Sequence, residues 1–284
     1  MALGSAVSWA VAVIFFRGLA TVPAAATNLF KNTVASALLL ITMAVFAIPF
    51  ARHRSLTDWA VLAGSGVVGL AIADTLFFAG LRRLDASLVA ITDCAYAPTV
   101  FLMSALFLGE SFRVGLLIGA PLVVIGLFLA SWQPRRARGM PVDRVGVVYS
   151  VLGVAMTAVG VVMAKRVLAS SELIEATTVR LLAGTFVLFA YHVLTRGLGT
   201  ALVLFSPQPA WRFALPGTFF GTYVSMILWL GGMRLGLASR TAVLNQLAAI
   251  FVLILSRLMG EEFPRRRWLG AALAITGACV VLVV

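Results

Sequence analysis

The sequence predicts an all-α polytopic membrane protein whose ten transmembrane helices form two inverted five-helix repeats. Three observations predict it. The first is composition: of 284 residues, 62% are hydrophobic and 11% charged, with a mean hydropathy of +1.06, against roughly half apolar and a quarter charged in soluble domains. The second is run length, since nearly every apolar stretch reaches the about 20 residues a spanning helix needs. The third is internal repetition between the two halves of the chain.

Breaking the hydropathy at Arg, Pro and Gly clusters places the helices in order. The first, 3–20, begins "LGSAVSWAVAVIFF"; with no basic leader or small-residue cleavage site, it reads as a permanent span rather than a removed signal. Helices at 28–50 and 60–81 flank the basic "RHR", and 87–108 and 114–132 flank "GESFR". The most polar connection, "QPRRARGMPVDR", carries two prolines and four arginines. It divides the chain into a first unit, 1–132, a basic connection, 133–144, and a second unit, 145–284. The second unit holds helices at 145–164, 176–195, 213–233, 241–258 and 268–284.

The two units share one register. At a shift of 151 residues Gly66 meets Gly217, Gly80 meets Gly231, Arg83 meets Arg234, Gly109-Glu110 meets Gly260-Glu261, Gly119 meets Gly270 and Gly126 meets Gly277; at 149, Arg17 meets Arg166 and Lys31 meets Arg180. One register across unlike residue types indicates duplication. A unit of five spans ends on the opposite side of the bilayer from its start, so its copy threads in the reverse sense. Inverted repeats around a midplane site recur in secondary transporters.

Charge excludes little by its sum and much by its placement. The 22 basic residues, 20 of them Arg, are scattered between apolar runs, whereas nucleic-acid binding needs a concentrated basic face. They read as membrane-flanking anchors. The two cysteines, Cys94 and Cys279, make neither a metal-ligand spacing nor a disulfide framework. No metal site and no cofactor is expected.

Polar residues inside apolar runs are the candidate site. In "AITDCAYAPT" Asp93 shares a helix face with Tyr96 and Ala97, and Pro98, unable to donate to Cys94 O, serves as a helix hinge. Such a cluster would cost several kcal/mol against lipid and is expected to face protein or a wet cavity. In "LAIADTLFFAG" Asp74 has Phe77 and Phe78 one turn along, while the second unit offers Ser225 and Trp229 at the positions of Asp74 and Phe78. Polarity repeats there and charge does not. Asn245 and Gln246 occupy the matching stretch of the ninth helix, where an interhelical hydrogen bond and a solute contact are both open readings. Lys31 and Arg180 either extend towards headgroups or balance the acids and receive an anionic group. Asp93 and Asp74 either tie helices together or serve recognition and proton carriage, burial raising and a nearby cation lowering their proton affinity. Trp9 and Tyr223 join the aromatics of this region as a possible apolar lining.

The stretches "LFFAGLRRLDASLVAITDCAYAPTVFLMSALFLGESFRVGLLIGAPLVVIGLFLA" and "LWLGGMRLGLASRTAVLNQLAAIFVLILSRLMGEEFPRRRWLGAALAITGACVVLV" resemble the EamA-type transporters of the drug/metabolite transporter superfamily. The likeness spans the chain and rests on the Gly-Glu connection followed by Gly at ten and seventeen residues, on Ala86-Ser87 and Ala238-Ser239, and on Pro98. Ala249 stands in the register of Pro98, a departure that argues against matched bends. The resemblance implies a ten-helix carrier for small organic solutes, commonly an exporter of amino acids or related metabolites.

From these features we expect an alternating-access exporter, not an enzyme, in the bacterial cytoplasmic membrane, contacting lipid and a small molecule, with protons as the candidate coupling ion, as monomer or homodimer. An intramembrane enzyme using the Asp pair and a passive channel are the alternatives. Glu110 and Glu261 read as helix-end caps before the last helix of their own unit, and the glycines at 115, 119, 126, 217, 221, 270 and 277 as close-packing surfaces within the chain or between protomers. Basic residues favour connections after odd-numbered helices and so external termini; the resemblance implies cytoplasmic termini.

Overall fold

The computed structural model describes all residues except 20, 52–53, 82, 85–91, 112–113, 132–142, 261, 263 and 284, and only the backbone of 78, 81 and 131. Ala86-Ser87, Glu261, the Phe78 side chain and nearly all of the basic connection lie outside the described residues. Every regular element described is helical.

The elements are α1 (Ala2–Arg17), α2 (Ala24–Val45), α3 (56–81), α4 (Tyr96–Leu108), α5 (Val114–Ser131), α6 (Arg144–Ser170), α7 (Leu173–Leu194), α8 (Trp211–Leu235), α9 (Ala238–Leu258) and α10 (Arg265–Val283), with one helical turn at Leu198–Ala201. Seven of them are long and apolar enough to cross a membrane; α1, α4 and Val114–Ala130 of α5 are shorter apolar helices. Polarity is turned inside out: Phe186, Leu106 and Leu258 point outward at 71%, 66% and 78% exposure, while Lys31, Asn32, Glu175 and Arg180 are buried. Such a surface suits lipid and would not stay dispersed in water.

Helix ends follow local chemistry. Asp143 caps α6 by accepting from the N–H groups of Val145 and Gly146. These bonds, the Gly146 one foremost, together with Arg83 at 3.1 Å, hold its carboxyl below the usual range. α2 starts directly after Pro23 and ends before Ala47, which adopts a left-handed φ of 51°, so its span lies four to five residues earlier than the hydropathy placed it. α6 runs on to Ser170, past the expected end at 164. Its extra turn is held by Lys165, bonded to the Met233 and Gly236 carbonyls at the end of α8, and by Arg166, which donates to Phe107 O at 2.7 Å near the end of α4. Cations at helix carboxyl ends satisfy orphan carbonyls and the negative end of the dipole.

Packing between the units is reciprocal. α1 lies along α8, with Gly217 against Phe16, Gly221 against Ala12, and Gly231 against Met1; α6 lies along α3, with Gly160 against Gly69, Gly153 against Phe77, and Gly146 against Arg83. Numbers rise in one helix as they fall in the other, so each pair is antiparallel. α2 crosses α7 with Ser36 and Thr185, equivalent at the shift of 149, hydrogen-bonded at 3.3 Å. α5 packs on α10 through Gly119 at Gly277 and Gly126 at Gly270, where an added methyl group would fall 2.5 Å from Gly277 O and 2.4 Å from Ala274 N. Those glycines serve packing within the chain. Backbones that approach this closely gain dispersion contacts, the main attraction left between helices in lipid.

Candidate functional site

Two departures from α-helical winding mark the centre. α3 contains a π-helical segment, Val67–Ile72, and α8 another, Phe219–Val224. They fall at matching positions of the two units, just after Gly66 and Gly217. A π-turn inserts a residue and rotates the helix beyond it. The first polar side chains beyond the two turns are Asp74 in α3 and Ser225 in α8.

α4 and its counterpart α9 are interrupted. The chain turns at Cys94-Ala95 before α4 begins at Tyr96, and α9 breaks at Gln246-Leu247 between Asn245 and Ala248. Pro98 stands in the first turn of α4, where its missing N–H leaves no bond unmade. It marks a start rather than a hinge inside a continuous helix 87–108. α9 breaks at the same register with Ala249 in place of proline, its chain tightening through i to i−3 bonds from Leu247 to Leu244 O and from Ala249 to Gln246 O. The missing proline therefore does not separate the two units. The breaks meet directly: Gln246 Nε2 donates to Asp93 O at 2.8 Å. Beside it the Asn245 Oδ1 is buried with no partner among the described residues.

The two matched cations sit eight residues into α2 and α7, Lys31 at 5% and Arg180 at 1% exposure. Both are enclosed by protein, which removes the headgroup-reaching alternative. Lys31 Nζ pairs with Asp74 Oδ2 at 2.7 Å and donates to Asn32 Oδ1 at 3.2 Å, and Asn32 is held in turn by Asn28. Arg180 has no such partner: among the described residues Nε and both terminal nitrogens find no hydrogen bond. Where Lys31 has Asp74, the register offers Arg180 only Ser225, and Ser225 is spent on Ser5. Gly66 lies so close to Arg180 that an added methyl group would sit 2.0 Å from its carbonyl oxygen; one at Gly69 would lie 3.6 Å from its Nη2.

The aromatic part of the site is Tyr96 and Trp229, both buried, with Trp229 Nε1 donating to Tyr96 Oη at 3.1 Å. Phe77, half-buried, packs against the same cluster. Arg180 and Asp93 both lie within electrostatic range of the Tyr96 phenol. Asp93 keeps accessible surface at the turn before α4. Its carboxylate makes no ion pair among the described residues, whereas Asp74 is engaged by Lys31. Trp9 is partly exposed against Gly221, and Tyr223 hydrogen-bonds Thr42 at 2.6 Å.

Two features had little sequence signal. Arg54, between α2 and α3, grips Glu175 of α7 with both forks, at 2.7 and 2.6 Å, reaches Ser171 at 3.0 Å, and lies over Trp59. The opposite end of the α2–α7 pair is closed by Phe30 against Phe205 and Trp211, with Leu19 and Leu204. Glu110 caps a helix of the other unit. Its carboxylate accepts from the N–H groups of Ala238 and Ser239 and the Ser239 hydroxyl, at 2.7, 3.2 and 2.7 Å, at the start of α9 in the other unit. The paired Ala-Ser motif was a visible hint to this contact; Arg54 and Glu175 have no counterparts in the repeat and carried none.

The model of the EamA-like transporter family matches residues 1–132 and 144–283. A Synechocystis sp. protein named only as an uncharacterized transporter is 23% identical over 234 residues, 80% of this chain and 67% of that one. A crystal structure shares the fold at a TM-score of 0.81 and 17% identity, covering 98% of this chain and 94% of its own.

Proposed function

This integral membrane chain belongs to the EamA-like transporter family, and on that basis we propose that it is a secondary carrier exporting small organic metabolites, amino acids among them, across a bacterial cytoplasmic membrane. Ten spans in two inverted units of five would rock between inward-open and outward-open shapes around the polar centre. The reciprocal antiparallel packing of α1 on α8 and α6 on α3 supports this frame, as does the match of both π-turns and both helix breaks.

One observation carries the reading: the bundle buries charge, with Lys31 paired to Asp74 and Arg180 enclosed without a hydrogen bond among the described residues, and Gln246 joins its two interrupted helices at Asp93 O. Buried charge in a membrane bundle is costly and marks a solute or ion path by default, and broken helices are how carriers expose backbone groups to a solute. The Arg54–Glu175 clamp and the Phe30–Phe205–Trp211 plug, at opposite ends of the α2–α7 pair, are natural candidates for the two gates.

Reconstitution in proteoliposomes tests this. The expected result is saturable uptake of a small organic solute that unlabelled solute on the far side accelerates. Flux that rises linearly without such counterflow would make the protein a channel, and chemical turnover of the solute would make it an enzyme.

A further inference from the structure

Resting on that carrier reading and going beyond it, we propose that Arg180 is the anchor for the carboxylate of the transported solute. The first unit shows what a buried cation requires: Lys31 has Asp74 at 2.7 Å and Asn32 at 3.2 Å. The second unit supplies neither kind of partner among the described residues. Arg180, the largest of the fully buried side chains at 1% exposure, holds three unpartnered nitrogens among the described residues. Its register-equivalent acid has become Ser225, itself satisfied by Ser5. A planar guanidinium with an empty fork is a receptor for a bidentate oxyanion.

The surroundings fit a ligand instead of a permanent partner. On α3 it is Gly69, a residue without a side chain, that lies beside Nη2, where an added methyl group would sit 3.6 Å away. Tyr96, tied to Trp229, lies within electrostatic range, and Asp93 beyond it retains accessible surface. A solute with a carboxylate at Arg180 and an ammonium group towards Asp93 would complement both charges. Lys31 and Asp74 neutralise one another and leave the anion no second strong attractor.

The test is binding to the purified full chain in detergent, read as a saturable rise in melting temperature. The probes are the twenty amino acids, their amides, 4-methylpentanoate and inorganic phosphate. We expect at least one carboxylate to bind about tenfold or more tightly than its amide, with phosphate no competitor. Arg180→Leu should abolish that preference, Arg180→Lys should keep part of it, and Ser225→Asp, by restoring the missing acid, should weaken carboxylate binding by a similar factor. Gly69→Ala, which fits without a clash, should weaken it less. The anchor is overturned if acids and amides bind alike or not at all, if phosphate replaces every carboxylate, or if the preference survives Arg180→Leu. Counterflow on the same variants separates the two readings. Saturable counterflow with an unaltered preference removes the anchor and leaves the carrier; Arg180-dependent binding without counterflow of any solute does the reverse.

Discussion

The first unit pairs its buried lysine; the second gives its buried arginine no hydrogen bond among the described residues. Both cations stand at the eighth residue of their helices, each beside a helix carrying a π-turn, and the frames around them are built from matched glycines and matched breaks. The ion pair differs by one side chain, Asp74 against Ser225, and the Asn32 that also holds Lys31 has Leu181 in its register. A duplicated scaffold can thus hold one half as structure and free the other for recognition, because removing a single partner turns a satisfied ion pair into an open receptor.

The widest test of that contrast is to remove the partner that remains. Asp74→Asn leaves Lys31 buried without its counter-charge, and loss of one member of a buried pair costs about 3 kcal/mol, the low end of the range because Asp74 keeps some exposure. Arg180→Leu should behave oppositely, with a melting temperature equal to or above that of the parent, since it removes a buried charge that has no ion pair or hydrogen bond among the described residues. Thermal unfolding of the two variants side by side reads the difference; equal losses would mean that Arg180 is as firmly satisfied as Lys31.

A smaller effect separates the glycines that precede the π-turns. Gly66→Ala drives a methyl group to 2.0 Å from the Arg180 backbone, whereas Gly217→Ala meets only the edge of the Phe16 ring, at 2.6 Å. Backbone cannot swing aside as a ring can, so the first should cost about 2–3 kcal/mol and the second about 1 or less, by the usual scale of overpacking. The first should also disturb any ligand held by Arg180. Matched losses in unfolding would show that α7 yields as easily as a side chain.

The smallest expected change sharpens the link between units. Glu110→Gln keeps the shape of the cap on α9 but gives up its charge at a helix amino end, a loss of about 1 kcal/mol. Amide exchange should quicken at Ala238 and Ser239 while α4, which carries the glutamate, stays protected.

Much of this frame was legible from residues in line. Hydropathy located the helices, and the shift of 149 to 151 residues matched the glycines of α5 and α10 and the Lys31–Arg180 pair, while which glycine touches which, Gly119 at Gly277 and Gly126 at Gly270, came only from the structure. Pro98 misled: it suggested a bend peculiar to α4, whereas α9 breaks at the same place without proline. The Glu110 contact with α9, in the other unit, was not foreseen, since capping chemistry can be read locally but the helix that receives it cannot.

Composition and periodicity by themselves determined a membrane-embedded, duplicated, all-helical chain with acids and bases inside its apolar runs, because burial in lipid and repetition are written residue by residue. Only the tertiary structure decided which of those charges are satisfied. Whether Lys31 meets Asp74, whether Arg54 clasps Glu175, and whether Arg180 is left open depends on a few ångströms between helices far apart in sequence. Electrostatic partnership is a property of distance in space, and no single stretch of sequence carries it.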